Sequence, residues 1–146
     1  MKKTKASAEA LLDLSVATIE LYFRLEAATQ AIAGFASAGG EWGVLRTLIR
    51  HGEQTVPEMA RSRPVSRQHC QTICNNLADQ GLIEFIENPR HKRSQLVRIT
   101  KKGRARFEAM SEQFLVAAGA FAPHFEKEEL ATATDVLRRA RELIVV

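Results

Sequence analysis

Between Ser66 and Ala78 the chain places Cys70, Ile73, Cys74 and Leu77 at i, i+3, i+4 and i+7, which is one apolar face of a helix. The rest of that surface is Ser66, Arg67, Gln68, His69, Gln71, Thr72, Asn75 and Asn76. These are hydrogen-bonding types: Gln and Asn match the edge of adenine, and Arg matches guanine or a phosphate. A solvated amphipathic helix usually carries several Glu, and none occurs here. A second basic group, Arg90, Lys92 and Arg93, falls within four residues, placed to enter a minor groove or grip its phosphates. A third, Arg61-Ser62-Arg63, precedes the helix and offers further phosphate contacts, Arg63 among them. The chemistry offered is non-covalent readout of a polyanion.

Other reactive residues point less clearly. Cys70 and Cys74 stand one turn apart at the start of the polar helix. A redox role would need Cys70 activated by the helix N-terminus. Their spacing with Ile73 and Leu77 favours two small apolar residues that seat the helix. The four histidines, His51, His69, His91 and His124, lie in four different segments with no metal-ligand spacing, so neither a metal nor a cofactor is expected. His69 and His91 read as DNA-side residues whose charge strengthens binding below about pH 6.5. The chain has no phosphate-binding glycine loop, nucleophile elbow or metal-binding histidine pair, so it is not expected to be an enzyme.

The elements that position these residues follow from periodicity and punctuation. A long helix is expected over 7–35, with one stripe of Leu12, Val16, Ile19 and Phe23 and another of Leu11, Leu14, Thr18, Leu21, Tyr22 and Leu25. Two apolar faces exceed the need of one small core, so one is a candidate subunit contact. Ala38-Gly39-Gly40 breaks that helix. A second helix runs from Glu41 to Arg50 with Trp42, Leu45, Leu48 and Ile49 inward, closed by His51-Gly52. Thr55, Pro57 and Glu58 form a capping box with proline near the first turn, opening a short helix to Arg61. Arg63-Pro64-Val65 makes the turn, Ser66 caps the next helix, and Gly81 ends it near Asp79.

The period then changes. Residues 82–87 and 95–100 read as strands, joined by the cationic linker Asn88–Ser94. Two helices follow: Phe107, Met110, Phe114, Ala117 and Phe121 stripe the first, which Pro123 ends or kinks, and Leu130, Ala133, Leu137, Ala140 and Ile144 stripe the last.

Charge divides the chain in the same places. Residues 44–106 hold 13 Lys/Arg against 5 Asp/Glu, a balance of +8, while residues 1–43 balance at −1 and residues 107–146 at −3. A cationic centre between slightly acidic flanks suits a protein whose middle meets a polyanion. A chain of 146 residues with 45% hydrophobic content can bury a proper core, and two cysteines make no disulfide framework. No apolar run approaches the ~20 residues of a membrane span, and the basic N-terminus leads into an amphipathic pattern with Glu9 and Asp13. No membrane partner and a cytoplasmic location are expected.

With these motifs in this order, the chain resembles the MarR (multiple antibiotic resistance regulator) family of bacterial and archaeal repressors. The stretches that carry the resemblance are Trp42–Arg46, Val65–Gln68, Leu77–Ile83, the wing Asn88–Ser94 and Leu96–Arg104. Where the family's wing often has an acidic residue two before the tip arginine, this chain has His91; the arginine role passes to Arg93, but the acid's ion pair does not carry over. The resemblance implies terminal helices that interlock into a homodimer, and two recognition helices that read a pseudo-palindrome in double-stranded DNA. It also implies a small-molecule effector in the crevice between dimerisation helices and DNA-binding lobe, where Trp42 and His51 could line a pocket as easily as fill a core.

The expected fold is mainly α with a small β-hairpin wing: a winged helix-turn-helix lobe over residues 41–106, flanked by dimerisation helices over 1–40 and 107–146. The expected function is a sequence-specific regulator, a repressor, contacting DNA through Arg63, Ser66, Arg67, Gln68, His69, Gln71, Thr72, Arg90, Lys92 and Arg93. The alternatives are a winged-helix protein-interaction module or a sequence-tolerant DNA-binding protein, marked by DNA affinity that depends steeply on salt and hardly on sequence.

Overall fold

The helix starts that the cap residues announce are realised in a computed structural model of the chain, which describes residues 5–33, 40–63 and 65–144. The elements in order are α1 (Ala8–Ala33), α2 (Glu41–His51), β1 (Gln54–Thr55), α3 (Val56–Ser62), α4 (Arg67–Asp79), β2 (Ile83–Ile86), β3 (Leu96–Ile99), α5 (Lys101–Phe121) and α6 (Lys127–Leu143), with a short 3-10 turn at Ala122–His124. The expected helix breaker at Ala38-Gly39 and the Pro64 of the turn lie outside the described residues.

Local chemistry accounts for the boundaries. Thr55 caps α3 by a reciprocal box: its Oγ1 accepts from Glu58 N at 3.3 Å, and Glu58 Oε2 accepts from Thr55 N at 2.7 Å. Ser66 caps α4, its Oγ accepting from His69 N at 3.1 Å. Gly52 and Gly81 take positive φ, at 77° and 71°, where the chain must leave α2 and α4. At the second of these, Gly81 N donates to Ala78 O and Leu82 N to Leu77 O, both at 2.9 Å, the paired bonds of a Schellman ending.

The sheet differs from expectation in one respect. It has three antiparallel strands in the order β1-β3-β2, not two, because Gln54 and Thr55 add to the free edge of β3 opposite Val97 and Leu96. The hairpin strands are each four residues long, with Phe85 opposite Val97 and Ile83 opposite Ile99. On their solvent face Arg98 ties the sheet together, 2.7 Å from Glu84 and 3.7 Å from Glu53.

The apolar core runs from Val44 to Met110, with Leu45, Met59, Cys70, Cys74, Leu77 and Val97 among its fully buried members. Trp42 of α2 joins this lobe to α5: its ring stacks on Phe107 and meets Phe114 edge-on, both at 5.6 Å, and its Nε1 donates to Ser111 Oγ at 3.2 Å. The architecture is thus mainly α with a small hairpin wing, a winged helix-turn-helix between N- and C-terminal helices.

Candidate nucleic-acid interface

α4 is held by one face and leaves the other open. Cys70, Ile73, Cys74 and Leu77 are buried against α2, α3 and the sheet, as their spacing requires. The opposite face, Ser66, Arg67, Gln68, His69, Gln71, Thr72, Asn75 and Asn76, is exposed along its length. The groups on it differ in what they have left to offer. Ser66 Oγ is occupied as acceptor by the cap, Thr72 Oγ1 donates back to Gln68 O at 2.9 Å, and Gln71 Nε2 donates to Asn75 Oδ1 at 2.9 Å. Among the described residues, the side chains of Arg67, Gln68 and His69 make no hydrogen bond or ion pair. They sit in the first turn of α4, where a helix N-terminus set into a major groove brings side chains to base edges.

The wing supplies a second exposed surface. Asn88 folds it: its Oδ1 accepts from Arg90 N at 3.0 Å and its carbonyl from His91 N at 3.2 Å, while His91 O accepts from Ser94 N at 3.1 Å. Arg90, His91, Lys92 and Arg93 all project into solvent from this double turn. The wing is shaped by Asn88 where it leaves β2 and by the Arg98–Glu84–Glu53 cluster at its base.

Two residues behave as spacing alone would not foretell. Arg63, placed by sequence on a basic turn, is half-buried; its guanidinium lies near Cys70, Cys74 and Tyr22 of α1, and burial pulls its pKa down. Arg61, two residues earlier on α3, is the exposed cation of that segment. Glu58 borders a groove of ≈ 770 Å³ between α3 and the wing, shared with Arg61, Arg90 and His91. Its carboxyl is held below the ordinary range, first by the hydrogen bonds from Thr55 and then by Arg61 and Arg90. The only sequence signal for it was its place in the capping box.

The two thiols are fully buried and free. The neighbouring Cys74 and the Arg63 guanidinium hold the Cys70 thiol below its ordinary value against the effect of burial, and Cys74 is pushed up. His51, His69, His91 and His124 are exposed in separate elements, and no group of three potential metal ligands occurs among the described residues. None of the described helices is long and apolar enough to cross a membrane.

Comparison with known proteins agrees with this fold. The sequence model of the MarR family matches residues 36–94. The uncharacterized protein Rv2011c of Mycobacterium tuberculosis is 34% identical over 98 residues, 67% of this chain and 68% of that one. The transcriptional activatory protein BadR of Rhodopseudomonas palustris is 28% identical over 120 residues, 75% of this chain and 67% of that one. Among solved structures, the transcriptional regulator BldR from Sulfolobus solfataricus superposes with a TM-score of 0.76 at 17% identity, covering 92% of this chain and 99% of that one. BpsR of Bordetella bronchiseptica, whose DNA binding is regulated by 6-hydroxynicotinic acid, gives a TM-score of 0.70 at 17% identity, covering 87% of this chain and 98% of that one.

Proposed function

The chain belongs to the MarR family of winged-helix, DNA-binding transcription regulators, and we propose that it works as a homodimer that reads a pseudo-palindromic operator in double-stranded DNA. The observation that carries this reading is the division of α4 into a face locked into the core and a face whose leading side chains are unengaged. Arg67, Gln68 and His69 contact base edges in the major groove, with Gln71 and Thr72 one turn on and Ser66 at the backbone. Arg93 enters the flanking minor groove, Arg90 and Lys92 grip phosphates, and Arg63 acts from its half-buried place at the base of α4, where Arg61 is the more accessible phosphate contact.

Dimerisation is supported by apolar surface that one chain leaves uncovered. Leu12, Val16, Ile19 and Phe23 of α1 are each about half exposed or more, as are Phe121, Phe125 and Leu130 around the α5–α6 corner. Residues 1–40 and 107–146 therefore form the dimerisation arms, and residues 41–106 the DNA-binding lobe. A protein occupying a promoter in this way represses; BadR's description as an activatory protein marks the other sign, which depends on where the operator lies.

A small-molecule effector acts at the junction of lobe and arm. There the aromatic cluster of Trp42, Phe107 and Phe114 meets Arg46, whose guanidinium carbon is 5.5 Å from the Trp42 ring centroid. The control of BpsR by an aromatic acid supports this reading. A ligand that prefers a non-binding separation of the two recognition helices lowers DNA affinity by linkage.

Selection of random-sequence duplexes by the purified protein at physiological salt tests the reading. An enriched inverted repeat with half-sites about 10 base pairs apart is expected. Binding that is sequence-indifferent and collapses with added salt would replace it with a sequence-tolerant binder.

A further inference from the structure

We propose that the corner at Thr100–Gly103 is the joint that fixes how far apart the dimer holds its recognition helices, and hence which half-site spacing an operator must have. This rests on the dimeric reading above. At the exit of α4, three successive carbonyls are all taken by the first residues of α5. Gln80 O accepts from Lys102 Nζ at 2.7 Å, Gly81 O from Thr100 Oγ1 at 2.7 Å, and Leu82 O from Thr100 N at 3.1 Å. The same Thr100 hydroxyl caps α5, accepting from Gly103 N at 3.0 Å.

Gly103 permits this approach. A Cβ there would stand 2.0 Å from Leu82 O and 2.9 Å from Leu82 C, both backbone atoms with no torsion to turn aside. The turn is rigid from its other side as well, since the Schellman bonds fix it to α4 and Gln80 Nε2 reaches Glu41 of α2 at 3.0 Å. Lys102 is exposed, yet it spends its ammonium on the C-terminal end of α4, where the helix dipole favours a cation.

The consequence is mechanical. α5 has 21 residues, so it is a lever of about 32 Å. Phe107 and Phe114 on Trp42 and the buried Met110 hold α5 to the lobe beyond this corner, so a tilt of about 0.1 radian of the joined unit moves the far end of α5 by about 3 Å, close to the rise of one base pair. α4 begins at one end of this joined unit, and the exposed apolar residues Leu115, Val116 and Phe121 lie at the other. A joint made of backbone carbonyls transmits the arm's orientation to the recognition helix without slack, which a preference for one half-site spacing requires.

The test uses the full-length dimer and duplexes carrying its selected inverted repeat, with the half-sites also moved one base pair closer or farther apart. Wild type should prefer one spacing. Thr100→Val, which keeps the shape but removes the hydroxyl, should bind that spacing about tenfold more weakly and flatten the preference among spacings, whereas Thr100→Ser should retain both. Lys102→Met is exposed and should show the same flattening to a smaller degree; it decides the matter if Thr100→Val does not fold. A uniform loss of affinity, or none, with the spacing preference intact would overturn the joint and leave the dimeric reading standing. Absence of any spacing preference in wild type would overturn both.

Discussion

The winged lobe and the helical arms treat apolar side chains in opposite ways. Every member of the buried core lies between Val44 and Met110, whereas the exposed large apolar residues fall in α1, from Leu11 to Leu25, or from Leu115 onward. Phe23 and Phe121 are both 65% exposed, while Leu45 and Leu77 have no exposure. The lobe completes its core with only Phe107 and Met110 from the base of the arm, so its stability and the seating of α4 are largely local properties. The arms carry hydrophobic stripes that the described residues leave exposed, and α6 contributes no buried residue at all. Charge follows the same division, since the lobe is strongly basic and the arms slightly acidic. In the proposed function, reading and pairing are thus physically separate tasks, joined at Trp42 and, by the inference above, at the Thr100–Gly103 corner.

The sharpest way to break this contrast is to charge the arms. Phe23→Glu combined with Leu137→Glu should yield a monomer in sedimentation and lower operator affinity by about 10³-fold or more, toward non-specific binding. Amide protection of α4 should persist in that monomer, because nothing in the lobe core was changed. Loss of protection would show instead that lobe and arms fold as one unit. The complementary change, Leu45→Ala, should destabilise the lobe by about 2–5 kcal/mol in denaturant unfolding.

Two substitutions within the reading surface separate its parts. Gln68→Ala should relax preference at one base position by about 1–3 kcal/mol, seen as equalised affinities for operators varied there. Arg93→Ala should weaken all sequences together and reduce the salt slope by about 1. The smallest effect is in acid. Glu58 has its carboxyl lowered from the ordinary 4.5 by the capping hydrogen bonds from Thr55. The folded state therefore binds this proton less readily than the unfolded chain. The resulting stabilisation is complete above pH 4.5 and is lost as pH falls through the lowered value. Glu58→Gln should remove that acid dependence from thermal melts.

The sequence announced most of the lobe because its boundaries are written in local chemistry. Thr55 and Ser66 are side chains that satisfy orphaned helix amides, and Gly52 and Gly81 take a conformation other residues avoid. The spacing of Cys70, Ile73, Cys74 and Leu77 likewise fixed which side of α4 faces the core. What escaped notice depends on partners distant in sequence. β1 is two residues long and exists because β3 offers it an edge. Arg63 looks like any basic turn residue until α4 and α1 close around it. Gly103 reads as a weak point in a helix, and its necessity appears only when Leu82 comes against it. The exposure of both α1 stripes was legible only in part, since two apolar faces announce a partner without saying how much of each the chain itself covers.

The most direct test of the account compares the selected inverted repeat with the same duplex carrying one scrambled half-site, at physiological salt and with stoichiometry measured on each. The account predicts two chains on the intact repeat and a loss of at least about 10²-fold on the scrambled one, since each mismatched base pair costs about 1–3 kcal/mol. Equal affinity for the two duplexes, or one chain per intact repeat, would contradict it.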